Sequence, residues 1–471
     1  MDQQSNENNN NSNVSILEIA SGDIQFVKPS IDDTSVTSLD SDNISSDVIG
    51  SARTPWFGTS ILIVSKVMGV GVLSLPLAAV QLGWVLTLTL LPLFAIACIF
   101  TAYQLQSVKL VYPEVKSYAD AGKKLVGSNF GTFARYAMIV TWMAESIDKL
   151  ITVSDGIGSI YSGGILSCNV TRTAIAAIIV LIPSQTRDFH SVAKYLSLPS
   201  TLAIIVVVIA IVVALVEKVN DGTAEFAEAT TIRVQPGTNI FSFFSALGKL
   251  TFAYQGQSIF MEVISEAKNP KDFTKKSSSS AFILMWVFYT LAVVIGYGVE
   301  GDQVVAYLPD VLTASVLKTI CNVLIVFHCA VGYVVDMQAV HTFVHSRMFA
   351  NTYRKEGTIA RLHWLLITAS FVAFAFIIGN IIPFFGDINS LIGSLMGAPI
   401  VFGFPSLYYL LSNKTKELNW KETLRKVGPI KAAVSCFFLF VLCPLFCIFG
   451  TIGAVTSLIH NIEHSALPFH C

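Results

Sequence analysis

Two apolar segments of this chain are long enough to cross a bilayer, and both are interrupted near the middle. The first reads Val67-Met68-Gly69-Val70-Gly71-Val72-Leu73-Ser74-Leu75-Pro76. The second reads Thr251-Phe252-Ala253-Tyr254-Gln255-Gly256-Gln257-Ser258. Glycine leaves the backbone free and weakens a helix. In hydrocarbon an unsatisfied N–H or C=O costs several kcal/mol, so a broken helix persists only where it faces protein or lines a cavity. Two such breaks, in corresponding positions of two halves, predict one site built from both at mid-membrane depth.

The rest of the chain fits that setting. It is 53% hydrophobic and 13% charged, where a soluble domain carries about 25% charged residues. The expected class is therefore an all-α integral membrane protein with the lipid bilayer as its surroundings. A net charge of -1 without a basic tract excludes nucleic acid as a partner. No phosphate loop, nucleophile elbow or His-Glu-x-x-His is present. An enzyme is not expected, nor a metal site or a cofactor. Cys98, Cys329, Cys436, Cys443 and Cys447 fall in apolar segments and read as small core residues. Cys168, Cys321 and Cys471 fall nearer one side, and a disulfide among them is open.

A helix crossing ~30 Å of hydrocarbon needs ~20 apolar residues. Eleven segments qualify, at roughly 57–80, 84–111, 132–160, 172–186, 192–216, 240–265, 279–299, 312–343, 361–382, 388–411 and 431–459. The fourth is the weakest, because Pro183, Gln185 and Arg187 end it early. Residues 1–55 are rich in Asn, Ser and Asp and read as a disordered cytoplasmic tail. They lack the pattern of a cleavable signal peptide. Residues 461–471 read as a short C-terminal tail.

Lysine and arginine set the orientation. Loops on the side of the N-terminal tail hold Lys109, Lys116, Lys123, Lys124 and Arg135; Arg187 and Lys194; Lys268, Lys271, Lys275 and Lys276; Arg347, Arg354, Lys355 and Arg361; and Lys414, Lys416, Lys421, Arg425, Lys426 and Lys431. The opposite loops hold Arg172, Lys218, Arg233 and Lys318. The N-terminus is expected in the cytoplasm and the C-terminus outside or in a lumen. Asn169-Val170-Thr171 is then a glycosylation candidate at Asn169 on the outer side, whereas the sequons at Asn13 and Asn43 would be silent.

Gly69-Val70-Gly71-Val72-Leu73-Ser74-Leu75-Pro76 followed by Gly83-Trp84, and Phe252-Ala253-Tyr254 followed by Gly256, Glu262 and Asn269-Pro270, resemble the first and sixth spans of the amino acid/auxin permease family. Gly296-Tyr297-Gly298 resembles its seventh-span exit, and Pro383-Phe384-Phe385-Gly386-Asp387-Ile388-Asn389 with Gly393-Ser394 its tenth-span start. The similarity runs over roughly 52–460. It implies an amino acid transporter transmembrane domain over 56–460 with a LeuT-like fold. In that fold the first five helices and the next five form an inverted repeat with broken first and sixth helices, and the eleventh is accessory. Relatives often carry a His near the sixth-span glycine; Gln257 stands here instead.

The resemblance implies secondary transport of a small zwitterionic amino acid by alternating access. The substrate carboxylate is expected on the N–H groups around Gly69, Val70 and Gly71, at the start of a half-helix. The ammonium is expected on carbonyls of Ala253, Tyr254 and Gln255, with side chains of Tyr254, Gln255 or Gln257 adding contacts. Ionisable groups inside spans are functional candidates. Lys66 lies one turn before the first break and Lys249 one turn before the second. Lys66 either stands where other carriers of this fold hold sodium, which favours H+ over Na+ as coupling ion, or pairs with a carboxylate such as Asp336. His328 and Glu262 are weaker coupling candidates. Glu145, Asp148 and Lys149 lie in the third span; Glu145 and Lys149 have the spacing of an intrahelical pair, and structural neutralisation is favoured there over a proton relay. An auxin-like indole carboxylate carrier and an amino acid sensor remain as alternatives. Side-chain selectivity, the membrane (plasma membrane, lysosome or vacuole) and oligomeric state are left open.

Overall fold

A computed structural model describes residues 54–464, apart from 188, 223–226, 228–229, 306, 314, 354, 382–384 and 416. The expected disordered tail lies outside the described residues except for its last two positions. Described elements are helical, with a single isolated bridge between Thr54 and Ala267. In chain order the helices are α1 (Trp56–Val67), α2 (Gly71–Val111), α3 (Tyr118–Leu125), α4 (Ser128–Ile160), α5 (Asn169–Leu181), α6 (Phe189–Asn220) and α7 (Ile240–Ala253). They continue with α8 (Phe260–Glu266), α9 (Ser279–Glu300), α10 (Val316–Met348) and α11 (Thr358–Ile381). The last three are α12 (Gly386–Asn413), α13 (Trp420–Val427) and α14 (Pro429–Glu463).

Among the described residues, seven helices are long and apolar enough to cross a membrane. The others depart for physical reasons. Spans expected at 57–80 and 240–265 are each divided in two. Helix α4 has 33 residues, but Glu145, Asp148 and Lys149 on it lower its hydropathy. Helix α5 has 13 residues, about 20 Å at 1.5 Å per residue, and gives way to a short turn at Pro183–Gln185. Helix α2 contains the end of the first expected span and all of the second. It folds sharply at Gly83, whose φ of 73° suits only a residue without a side chain.

The core places the breaks at the centre. Helix α10 packs along α4 and α6, while α7 packs against α2 and α12. At one end of the bundle Thr54 N–H donates to Glu266 C=O (3.1 Å) and Lys268 N–H to Thr54 C=O (2.9 Å), pinning the start of α1 to the end of α8. At the Gly83 fold, Trp84 and Val85 N–H donate to Thr231 and Ile232 C=O. The cysteine expectation resolves in part. Cys168 is disulfide-bonded, whereas Cys321 is free and buried. The third member, Cys471, lies outside the described residues.

Candidate functional site

Helix α1 ends at Val67 because Met68 turns to φ -78°, ψ 74°. Gly69 N–H then bonds Val67 C=O, and Leu73 N–H bonds Val70 C=O. Among the described residues the N–H of Val70 and the C=O of Lys66 have no partner. The second break follows Ala253. Gln255 N–H bonds Phe252 C=O, and a tight turn at Gln257–Ile259 restarts the chain into α8. The two breaks touch. A Cβ placed on Gly71 would sit 2.7 Å from Ala253 Cα, and one placed on Gly256 would strike Val67 Cγ2. Glycine at 71 is what lets the two backbones meet.

The break carries polar atoms without partners. Tyr254 Oη, Gln255 Oε1 and Ser258 Oγ are buried and unbonded. Buried polar groups in folded proteins are nearly always hydrogen-bonded, so these exceptions within one break mark it as a candidate site. Other expected contacts are already engaged. Ala253 C=O accepts from Tyr289 Oη (2.6 Å) and Tyr254 C=O from Cys98 Sγ (3.7 Å), which leaves Gln255 as the one of the three expected carbonyl acceptors with no bond among the described residues. Gln257 is turned away: Nε2 donates to Thr101 Oγ1 (3.0 Å) and Oε1 accepts from Gly256 N–H (3.0 Å). Gln255, two residues earlier, reaches Glu145 on α4 instead.

Charges surround the contact between the breaks. Lys66 Nζ donates to Glu145 Oε2 (2.5 Å) and to Asp336 Oδ1. Lys149 Nζ donates to the other oxygen, Asp336 Oδ2. Gln255 Nε2 donates to Glu145 Oε1 (2.8 Å). This quartet joins α1, α4 and α10 to the second break. Two lysines meet two carboxylates, so the quartet is neutral, and all four side chains are nearly inaccessible. Pairing with Asp336 is the arrangement Lys66 adopts. The intrahelical Glu145–Lys149 pair does not form, because each side chain reaches across to another helix. Gly332 on α10 makes the room: a Cβ there would lie 2.8 Å from Lys149 Cε.

The remaining candidates are spread around this centre. His328 is buried, with Nδ1 within 3.0 Å of Ser200 C=O and 2.8 Å of Ser200 Oγ. A carbonyl only accepts, so Nδ1 carries the proton and Nε2 offers a lone pair. Nε2 faces Gly69, 3.3 Å from where its Cβ would be. Glu262 lies on α8 among Lys109, Asp120 and Glu266, apart from the quartet, and its Oε2 is unbonded. Asn169 opens α5. Lys249 is buried and makes no ion pair among the described residues; its nearest charge is Asp387, whose oxygens already accept from Ser457 (2.8 Å) and Asn461 (2.6 Å).

The sequence named Asp148 only beside Glu145 and Lys149, favouring structural neutralisation over a proton relay, and gave Ser74 and Asn389 no role beyond their motifs. Asp148 is fully buried on α4. Asn389 on α12 lies against it, and Ser74 bonds both Asn389 (3.3 Å) and Gly71 C=O (3.1 Å). The signals were a third charge in one span and an Asn in the tenth-span motif.

The profile described as transmembrane amino acid transporter protein matches residues 52–455. The chain is 24% identical over 397 residues to Lysine histidine transporter-like 1 of Arabidopsis thaliana, covering 79% of this chain and 84% of the relative. It is 24% identical to Amino acid transporter AVT1B of Arabidopsis thaliana, with 88% and 73% covered. It is 23% identical to the N amino acid transport system protein of Neurospora crassa, with 89% and 88% covered. Among solved structures, a Na+-coupled sialic acid symporter in a substrate-bound outward-open state aligns with a TM-score of 0.45 at 12% identity, over 89% of this chain and 92% of that one. That score is too low to carry over its ion or substrate.

Proposed function

The chain belongs to the transmembrane amino acid transporter family, a family of multi-pass membrane proteins, and on that premise we propose that it is a secondary active, proton-coupled carrier working by alternating access. The fold in this reading is the eleven-helix, five-plus-five inverted repeat, with the N-terminus cytoplasmic. A zwitterionic amino acid binds where the breaks meet. Its carboxylate takes the free N–H at Val70 and the positive end of the half-helix that Gly71 begins. Its ammonium takes Gln255 Oε1, Tyr254 Oη and the free carbonyl of Lys66. His328 Nε2, facing Gly69, is a further acceptor.

The observation that carries this reading is the run of buried, unbonded polar atoms at Tyr254, Gln255 and Ser258 in the second break, with the unbonded Val70 N–H in the first. An amino acid supplies both the acceptor and the donors that they lack. Proton coupling is preferred because Lys66 places a fixed cation beside the first break, bound to Glu145 and Asp336. A sodium ion there would have to compete with that ammonium for the same oxygens.

Uptake by purified protein in proteoliposomes tests it. A mixture of labelled proteinogenic amino acids is supplied under a pH gradient or a sodium gradient, each alone. Accumulation driven by the pH gradient is expected. Accumulation driven only by sodium refutes the coupling, and binding without flux under either gradient refutes the carrier in favour of a sensor. Competition by indole acetate but not by neutral amino acids moves the substrate to an indole carboxylate.

A further inference from the structure

We infer that Asp148 is the group that carries the coupling proton, and that Asn389 and Ser74 relay its charge state to the Gly71 carbonyl at the first break. This rests on the proton-coupled reading above. Asp148 is 0% exposed and makes no ion pair among the described residues. Around it stand Lys149, Glu145 and Asp155 on its own helix, and Asp336 and Cys329 on α10. Helices α2 and α12 present the uncharged Ser74 and Asn389. Lys149 is the cation of this set, and its ammonium is bound to Asp336. The quartet is already neutral, so an ionised Asp148 leaves the buried centre with one uncompensated negative charge and a protonated Asp148 leaves it neutral. A lone buried charge is costly, which makes this carboxylate the place where one proton changes most.

The amide of Asn389 fits its surroundings in either of two orientations, and each suits one state of Asp148. A carboxylate only accepts, while a carboxylic acid also donates. With Asp148 ionised, the Asn389 nitrogen turns toward it and donates to Oδ1 (2.7 Å) and Oδ2 (3.2 Å). The amide oxygen then faces Ser74 and draws the Ser74 O–H to itself. With Asp148 protonated, its O–H donates to the amide oxygen, and the amide nitrogen donates to Ser74 Oγ (3.3 Å). Ser74 O–H is then free to donate to Gly71 C=O (3.1 Å). Gaining a proton therefore adds a hydrogen bond at the start of the half-helix that follows the first break, and losing it removes that bond. Only an O–H bond is made and broken: hydronium on one side supplies the proton, and water on the other accepts it.

The test uses the full chain in proteoliposomes with the labelled amino acid mixture. Wild type and Asp148→Asn are compared for accumulation under a pH gradient and for counterflow without one. Asp148→Asn is expected to lose gradient-driven accumulation, falling to the equilibrium ratio, while counterflow persists. Wild-type accumulation by Asp148→Asn overturns the inference and leaves the proton-coupled reading standing. Failure of the wild type itself to respond to pH overturns that reading instead. Should Asp148→Asn not fold, acid-minus-base infrared difference spectra decide on the wild type and Asn389→Leu. A protonated-carboxyl band in the wild type that moves when the amide is removed is expected; no band, or one indifferent to residue 389, overturns the assignment.

Discussion

The two breaks are alike in sequence and unlike in charge. Each has a lysine about one turn before it and glycine within it. Lys66 is bound by Glu145 and Asp336, and through Gln255 the same network reaches the second break. Lys249 is as deeply buried and has no ion partner among the described residues. Glycine therefore opens the chain at both places, while residues on α4 and α10 decide which opening carries the electrostatics.

Stability gives the widest separation between the two. Lys66→Met leaves Glu145 without its cation and weakens the hold on Asp336, and should cost about 3–5 kcal/mol. Lys249→Met removes an unpaired buried charge and should be neutral or stabilising by up to about 2 kcal/mol. Thermal melting in detergent measures both, and equal losses would break the comparison. Pairing Lys66→Met with Glu145→Gln should recover about 1–3 kcal/mol of the loss, because Asp336 and Lys149 then remain as a neutral pair. No recovery would mean that Lys66 matters through packing rather than charge.

Sterics separate the breaks next. Gly71→Ala and Gly256→Ala should each cost about 1–3 kcal/mol by overpacking and reduce uptake. The added methyl at 256 meets a side chain, Val67, so Val67→Ala should restore Gly256→Ala. At 71 it meets the backbone of Ala253, so no truncation of that kind should help. Rescue of both, or of neither, would sharpen or remove this distinction. The smallest effect concerns orientation. Asn169→Gln should leave stability and uptake unchanged and remove a glycan, seen as faster gel migration; a sugar on Asn13 or Asn43 instead would invert the topology.

Helix positions were legible because hydropathy and length together define a segment that must hide its backbone from lipid. The breaks were legible because Gly69, Gly71 and Gly256 interrupt such segments. Partners were not. Lys66 lies 79 residues from Glu145 and 270 from Asp336, and nothing local records that α1, α4 and α10 converge. Helical spacing suggested that Glu145 and Lys149 pair, yet a long side chain follows the nearest well-held carboxylate, which belongs to another helix. Gln255 and Gln257 illustrate the same limit. Once the helix unwinds there is no period to say which faces inward, and only the fold turns Gln257 toward Thr101. Asp148 is visible as a charge in a span, whereas its lack of a cation is a property of the assembled helices.

The most direct test of the account is substrate protection at the first break. Val70→Cys in a background freed of reactive cysteines is treated with a small thiol reagent during uptake of labelled amino acids. A substrate held where the breaks meet should slow alkylation of residue 70 in step with the amino acids that are transported. Alkylation indifferent to amino acids that the same vesicles take up would place the substrate elsewhere and contradict the account.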